Sequence, residues 1–495
     1  MQQRMSLIVI LLFTSALTAV AMPIDWHGKF GVDTTLIDNF RRMDATGQVT
    51  NIEDVGANGT QELQLGAGNH ANASFQTYIF QLNPVILIND AATIKAELTN
   101  GTARGGRLGD SVYQTRETNV AHSLYYLNTT NPAGSSLYWN QLYVELFSDN
   151  GTYLIGRHSD HWGLGAVVNN GYGRWDRHVF TRDGISLKLK INNFFITPFW
   201  GKVSSNGSLT AATDAKEYGF SLLYDNPDRD FAFGLYYAKK VSGPQNGDYS
   251  SDVDGDGAPI QLLQNDTKLT DIYFRKSFQD ITFSIEVPLF SGDLGAVYTA
   301  GSSAKYKAKA VITDTRYVYS DRWKFGVGLG SVQGDDGGES GFGAAYLNPN
   351  FQIANLLFRY NLRAVSAPDA AGTPHLFDAY ISNTQYLKLY TEYTKERWIW
   401  KGAVIYARAE QVATAGAKAY NHTNNRQFDA TVSQDQEMGV EIDTSFDYLW
   451  NSEITIGGEF GYLFTGDYFA YTNDATKPNS AANSYMMQMN LAVEF

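Results

Sequence analysis

The sequence predicts an all-β protein: a transmembrane antiparallel β-barrel of eighteen to twenty strands, with sixteen also compatible. Three observations carry that prediction. Apolar residues recur with a period of two rather than 3.6, short polar turns alternate strictly with long polar connections, and the last segment is an alternating strand ending on Phe495. A period of two gives every strand one apolar and one polar face. Strict alternation of short and long connections puts all tight turns at one end of the sheet and all long loops at the other, the asymmetry of a barrel in a membrane.

Composition narrows the alternatives. The 495 residues contain 31 Tyr, 28 Phe and 9 Trp but no Cys, which excludes a disulfide scaffold and a thiolate metal site. A formal net charge of −13 lacks the basic footprint of a nucleic-acid binder. Mean hydropathy is −0.28, and no apolar run beyond the N-terminus is long enough for a membrane helix. Strands can still cross with this composition, and interfacial girdles would account for the aromatic excess.

Taken in order, residues 1–21 read as an export signal: Arg4, an apolar stretch from Leu7 to Phe13, then the small-residue pattern Ala19-Val20-Ala21. Residues 22–495 are then expected to form a single barrel domain. Ile185, Leu187, Leu189 and Ile191 alternate with Ser186, Lys188, Lys190 and Asn192, and Ala304, Tyr306, Ala308 and Ala310 alternate with Lys305, Lys307 and Lys309. Phe358, Tyr360 and Leu362 alternate with Arg359, Asn361 and Arg363. Tight turns are expected at Asn83-Pro84, 149–151, 192–193, 226–229, 279–280, 320–321, 348–350, 395–396 and 450–451. Long connections are expected at 100–137, 161–182, 204–214, 242–267, 291–303, 365–380, 412–434 and 465–481, with a short helix inside 111–128. No plug domain is expected before the first strand, because Asp25 to Phe40 already reads as strand and turn.

The final strand places Tyr485, Met487, Met489, Leu491, Val493 and Phe495 on one face and Ser484, Met486, Gln488, Asn490, Ala492 and Glu494 on the other. This segment resembles the final strand of Gram-negative outer-membrane β-barrels, which typically ends in phenylalanine after alternating apolar residues. The resemblance implies an outer-membrane location and that Tyr485, Leu491, Val493 and Phe495 form the signal read by the barrel-assembly machinery. It also implies homotrimers as a common state for sixteen- and eighteen-stranded porins. Tyr153-Leu-Ile-Gly-Arg157 followed by His161-Trp-Gly-Leu-Gly165 looks like segments of large, mostly uncharacterised porin-like proteins.

Candidate chemistry follows from the inward face. With the polar face turned inward, Lys95, Lys188, Lys190, Lys305, Lys307, Lys309, Arg359 and Arg363 line the pore, opposed by Glu441, Asp443, Glu453 and Glu459. A basic wall facing an acidic one would set a transverse field on passing solutes; the plain alternative is that these charges wet a wide lumen. Asp252, Asp254 and Asp256 open like a calcium loop, but position twelve is Leu263 and Pro259 interrupts it, so an acidic loop tip competes with a weak calcium site. His158, His161 and His178 lack a completing ligand for zinc. No Gly-x-Ser-x-Gly elbow occurs, so no enzyme is expected. The expected task is a water-filled porin for small hydrophilic solutes and ions, against a loop-presenting adhesion barrel or a substrate-specific channel.

Overall fold

A computed structural model describes residues 24–38, 73–100, 104–108, 137–204, 215–242, 265–296, 303–338, 341–360, 379–422, 426–471 and 481–495, together with 42–43, 49–50, 249–250, 260–261, 376–377, 473 and 475. Eighteen long strands form one closed antiparallel sheet. They are β1 (Ile24–Asp38), β2 (Ala73–Asn89), β3 (Ala92–Asn100), β4 (Leu137–Ser148), β5 (Gly151–Ser159), β6 (Thr181–Ile191), β7 (Phe194–Ser204), β8 (Ala215–Asn226) and β9 (Phe231–Ser242). The second half comprises β10 (Asn265–Phe278), β11 (Ile281–Ala296), β12 (Ser303–Val318), β13 (Trp323–Val332), β14 (Thr384–Lys395), β15 (Trp398–Ala409), β16 (Glu437–Leu449), β17 (Ile454–Thr465) and β18 (Ser484–Glu494). Each strand pairs with its neighbours in sequence, and β1 closes the sheet on β18 with Phe30 opposite Val493. The export signal 1–21 and the segment 111–128 lie outside the described residues.

Eighteen strands rather than twenty follow from one turn that joins no wall strands, at 348–350, and another expected turn is displaced from 83–84 to 90–91. Asn83-Pro84 lies within β2, where Pro84 sits opposite Trp26. On the other side the ladder with β3 skips residues 83 and 84, because proline has no N–H to donate there. Asn348-Pro349-Asn350 is a real local turn, with the Asn350 N–H donating to Asn348 Oδ1 at 3.0 Å. It belongs, however, to the connection between β13 and β14, where residues 358–360 of the expected strand over 358–362 are in no wall strand and 361–362 lie outside the described residues. The remaining seven tight turns fall where the sequence puts them.

The closed sheet is greasy outside. Leu142, Ile155, Ile185, Ile272, Val327, Leu389, Val404, Ile442 and Met489 are exposed on the outer face. At the turn end an aromatic band surrounds the wall, including Trp323 stacked on Phe325 at 5.8 Å and Trp398 against Tyr448 at 4.7 Å. At the loop end Trp200 and Tyr218 are exposed. A lipid-facing belt between two aromatic girdles is what a membrane-spanning barrel requires. Met487, Met489, Leu491, Val493 and Phe495 face lipid as expected, and Gly28 exchanges backbone hydrogen bonds with Phe495 at 2.7 and 3.1 Å.

The interior is not uniformly wet. The described residues of the connections 160–180 and 333–383 fold inside the wall and build a dry core there. Leu347, Ile353, Leu356, Leu357 and Tyr360 pack against Ala308, Ala310 and Ile312 of β12, Ile405 and Ala407 of β15, and Met486 of β18. Trp162 and Val168 pack against Phe199, Tyr236 and Ala238.

Candidate functional site

Two buried glutamates on the wall seat the inward segments. Glu441 of β16 accepts the backbone N–H groups of Asn355, Leu356 and Leu357 at 2.9, 2.6 and 2.9 Å, and Asp443 accepts that of Asn355 at 3.1 Å. Glu286 of β11 accepts the Leu164 N–H. This second seat explains the Trp162-Gly163-Leu164-Gly165 sequence. Gly163 has φ of +57° and Gly165 of +76°, the left-handed region, and a Cβ on Gly163 would overlap the Glu286 carboxylate. Carboxylates collecting several backbone N–H groups form charge-assisted bonds, stronger than neutral ones.

The two segments also meet each other. Asn348 N–H donates to Ala166 O at 2.7 Å, Asn350 Nδ2 donates to His178 O at 2.6 Å, and Asn350 Oδ1 accepts from the backbone of Arg177 and His178 at 3.1 Å each. Around this junction four arginines are held by acids. Arg104 forks onto Glu97 with two 2.7 Å bonds, and Arg182 reaches Asp160, Glu217 and the Tyr236 hydroxyl at 2.9, 3.2 and 2.7 Å. Arg177 bonds Asp33 at 3.1 Å and lies 3.9 Å over the Phe377 ring. Arg359 bonds Glu459 and donates to Gln488 Oε1 at 3.2 Å and Asn355 Oδ1 at 3.0 Å. Planar, forked guanidinium groups suit such multiple contacts better than lysine does.

Two cavities lie against these segments among the described residues. The larger, about 550 Å³, lies between residues 351–359 and the wall from β12 to β17, bordered by Asp314, Lys388, Glu392, Lys401, Asp443 and Glu459. The smaller, about 70 Å³, lies between Asp33, Asp176, Arg177, His178, Asn350 and Gln488. Both are bordered by Trp175, Gln352 and Arg359, so these three residues separate them. Burial raises the Asp176 carboxyl above its ordinary range, against the pull of the Gly173 N–H and of Arg104 and Lys29.

The sequence-based assignments divide. Lys95 faces inward and pairs with Glu145 at 2.8 Å. Lys188 and Lys190 share the inward face of β6 with the buried Arg182 and Ser186. Glu441, Asp443 and Glu459 also face inward, but the first two hold 333–383 and the third holds Arg359. Arg359 is on the inward segment rather than a wall strand, and Arg363 lies outside the described residues.

Two assignments are corrected. Glu453 is in the tight turn between β16 and β17, bonded to Ser452. Lys305, Lys307 and Lys309 point outward, because Ala304, Ala308, Ala310 and Ile312 are the buried face of β12, packed under residues 342–347 and 353–357. A segregated pair of charged walls does not form either: Lys324–Glu392, Lys95–Glu145 and Arg359–Glu459 interleave the signs.

Asp252, Asp254 and Asp256 lie outside the described residues. His158 and His178 have separate partners: His158 Nε2 is 2.7 Å from Ser186 Oγ and His178 Nε2 is 3.1 Å from Phe377 O. The His158–Ser186 pair has the spacing of a base and nucleophile, but both residues are buried and neither borders the cavities, which makes it a structural contact. Sequence reading missed Trp175, Asp176, Arg177, Asn350, Gln352 and Asn355. The charge-dense run Arg174-Trp-Asp-Arg-His178 was the available signal, since a surface loop has no need of so many hydrogen-bonding side chains beside a tryptophan.

No family model and no curated protein matches the chain. Among solved structures it is similar to Pseudomonas aeruginosa OpdL, at 10% identity over 95% of this chain and 99% of that one, with a TM-score of 0.49. It is also similar to a BenF-like porin from Pseudomonas fluorescens Pf-5, at 10% identity over 95% and 98%, TM-score 0.47. A third is a loop L8 deletion mutant of OmpT, an outer membrane protein of Vibrio cholerae, at 7% identity over 96% and 99%, TM-score 0.36. The closed antiparallel sheet, its lipid-facing band and its girdles make this chain an outer-membrane β-barrel.

Proposed function

We propose that the barrel is a diffusion channel for small hydrophilic solutes and ions, narrowed where Trp175, Gln352 and Arg359 separate the two polar cavities. The observation that carries this reading is that separation: charged and polar side chains border water-sized space on both sides of one arginine. An eighteen-strand barrel is too wide for wall side chains alone to fill, and here segments of the chain's own connections reduce the opening. The cavity borders carry six carboxylates against four lysines and arginines, which favours cations weakly.

A substrate-specific channel is the second reading, favoured by the fixed geometry of the narrow zone, since Arg359 and Arg177 are each held by at least two partners. The test is planar-bilayer conductance of purified, refolded protein. Stepwise currents with weak cation preference are expected, increased about twofold or more by Arg359→Ala. Absence of current from protein that shows a heat-dependent shift in gel mobility would transfer the reading to a loop-presenting scaffold. Saturating flux with one solute would favour the specific channel. Assembly through the β18 signal and a homotrimeric state belong to the same proposal; chemical crosslinking in native membranes reads the latter.

A further inference from the structure

The corrected lysines of β12 are part of a larger patch. On the outer wall, at the ends away from the tight turns, Lys216 of β8, Lys239 of β9, Lys268 of β10 and Lys305, Lys307 and Lys309 of β12 share the outward face. The register brings them together. Lys239 is directly opposite Lys268, Lys268 is opposite Ser291, and Ser291 is opposite Lys307. Lys216 is opposite Lys202 of β7. Like charges directly across a sheet destabilise it, and Lys268 meets such a neighbour in Lys239.

The face does not supply enough opposite charge of its own. Asp266 is bonded to Lys239 at 2.8 Å and Asp293 to Lys305 at 2.6 Å, whereas Lys216, Lys268, Lys307 and Lys309 form no ion pair among the described residues. Immediately nearer the membrane centre the same face becomes Tyr218, Leu289, Val311 and Leu329, all exposed apolar side chains. The lysines therefore stand at the boundary between hydrocarbon and headgroups, where long basic side chains reach toward the polar layer while their stems lie on apolar surface.

We propose that this outward patch on β8–β12 docks the phosphorylated headgroup of an outer-leaflet lipid. Clustered basic residues facing a headgroup layer attract anionic lipid, and lysine ammonium groups, as flexible point charges, suit phosphate without a fixed planar geometry. A solute site is excluded by the outward orientation, and the inference stands whether or not the barrel conducts.

Native mass spectrometry of the full-length protein tests it, in detergent micelles doped with lipid A bisphosphate or with dephosphorylated lipid A of the same acylation. The wild-type protein is expected to retain the bisphosphate at least tenfold more strongly, with that preference lost at about 1 M salt, where the screening length is about 3 Å. The variant K216Q/K268Q/K307Q/K309Q is expected to reduce the preference to within twofold, while the lumen control K188Q/K190Q leaves it unchanged. Equal retention of both lipids by the wild type overturns the proposal without reference to any variant. So does a preference that survives the quadruple substitution in protein with normal heat-dependent gel mobility, or one lost equally in the lumen control.

Discussion

β12 and β18 alternate with equal regularity and point their polar residues in opposite directions. In β18 the apolar residues Met487, Met489 and Leu491 face lipid and Gln488 and Asn490 face inward. In β12 Lys305, Lys307 and Lys309 face outward, and Ala304, Ala308 and Ala310 are buried inside. The difference is what each inner face meets. The inner face of β18 donates Gln488 to Thr35 and to the Tyr360 hydroxyl, a polar environment. The inner face of upper β12 meets Phe342, Ala344 and Leu347 of an inward connection, so it must be small and apolar. Alternation defines two faces; only the contents of the lumen decide which is which.

The sharpest way to break the comparison is to exchange the outward residues. Met489→Lys places a charge on the lipid face and is expected to destabilise the barrel by about 2–4 kcal/mol, whereas Lys307→Met is expected to fall within about 0.5 kcal/mol of the wild type, as surface substitutions do. Urea unfolding in lipid vesicles measures both. Equal effects would place Lys307 inside.

Glu441→Gln tests whether the inward connection, not the wall, sets the interior. Losing a charged acceptor shared by three backbone N–H groups should weaken the seat of 355–357 by about 1.5–3 kcal/mol. Higher open-channel conductance and faster proteolysis within 333–383 are expected; unchanged values of both would show that the apolar core alone holds the segment.

A smaller effect concerns pH. His422, outside the membrane strands, accepts the Asp335 N–H at 2.7 Å through Nε2, and burial lowers its pKa from 6.5 to about 3. The neutral ring is the one that fits, so the open form takes up a proton below 6.5 while the closed form does not until about 3. The contact is at full strength above 6.5 and weakens as pH falls toward 3. The protection of the Asp335 amide against hydrogen exchange should fall from pH 7 to pH 5, so that its exchange slows by less than the base-catalysed intrinsic rate does, and His422→Gln should remove this loss of protection.

The smallest expected effect is none. K305E/K307E/K309E should leave the reversal potential unchanged because these side chains are outside the lumen, while Lys388→Glu, on the border of the larger cavity, should shift it toward cations. A shift with the triple variant would restore those lysines to the pore.

Much of the wall was legible because its determinants are local. Turns such as Asn192-Asn193, Gln279-Asp280 and Lys395-Glu396 carry residues that tolerate the left-handed region, and Asn192, Gln279 and Glu396 adopt it. The interior was not legible, because it depends on contacts between distant segments. Glu441 seats Leu356 and Asn350 binds His178, and neither partnership leaves a periodic trace. Asn348-Pro349-Asn350 shows the limit most directly: its turn chemistry is genuine, but nothing within those residues says on which side of the wall the turn is made. β12 did carry a warning. Val311 and Tyr317 share the face of Lys305 and Lys309, so one face changes from basic to apolar along its length, as a strand leaving the headgroup layer for hydrocarbon must.

The seating of residues 355–357 on the neighbouring wall carboxylates Glu441 and Asp443 has a consequence for how such a molecule diversifies. Shell and filling answer to different demands: one must satisfy lipid, the other whatever traverses the bore. With their polar attachment concentrated in a few carboxylates, the filling can be rewritten, by mutation or by a protein engineer, while the shell that inserts and survives in the envelope stays as it is.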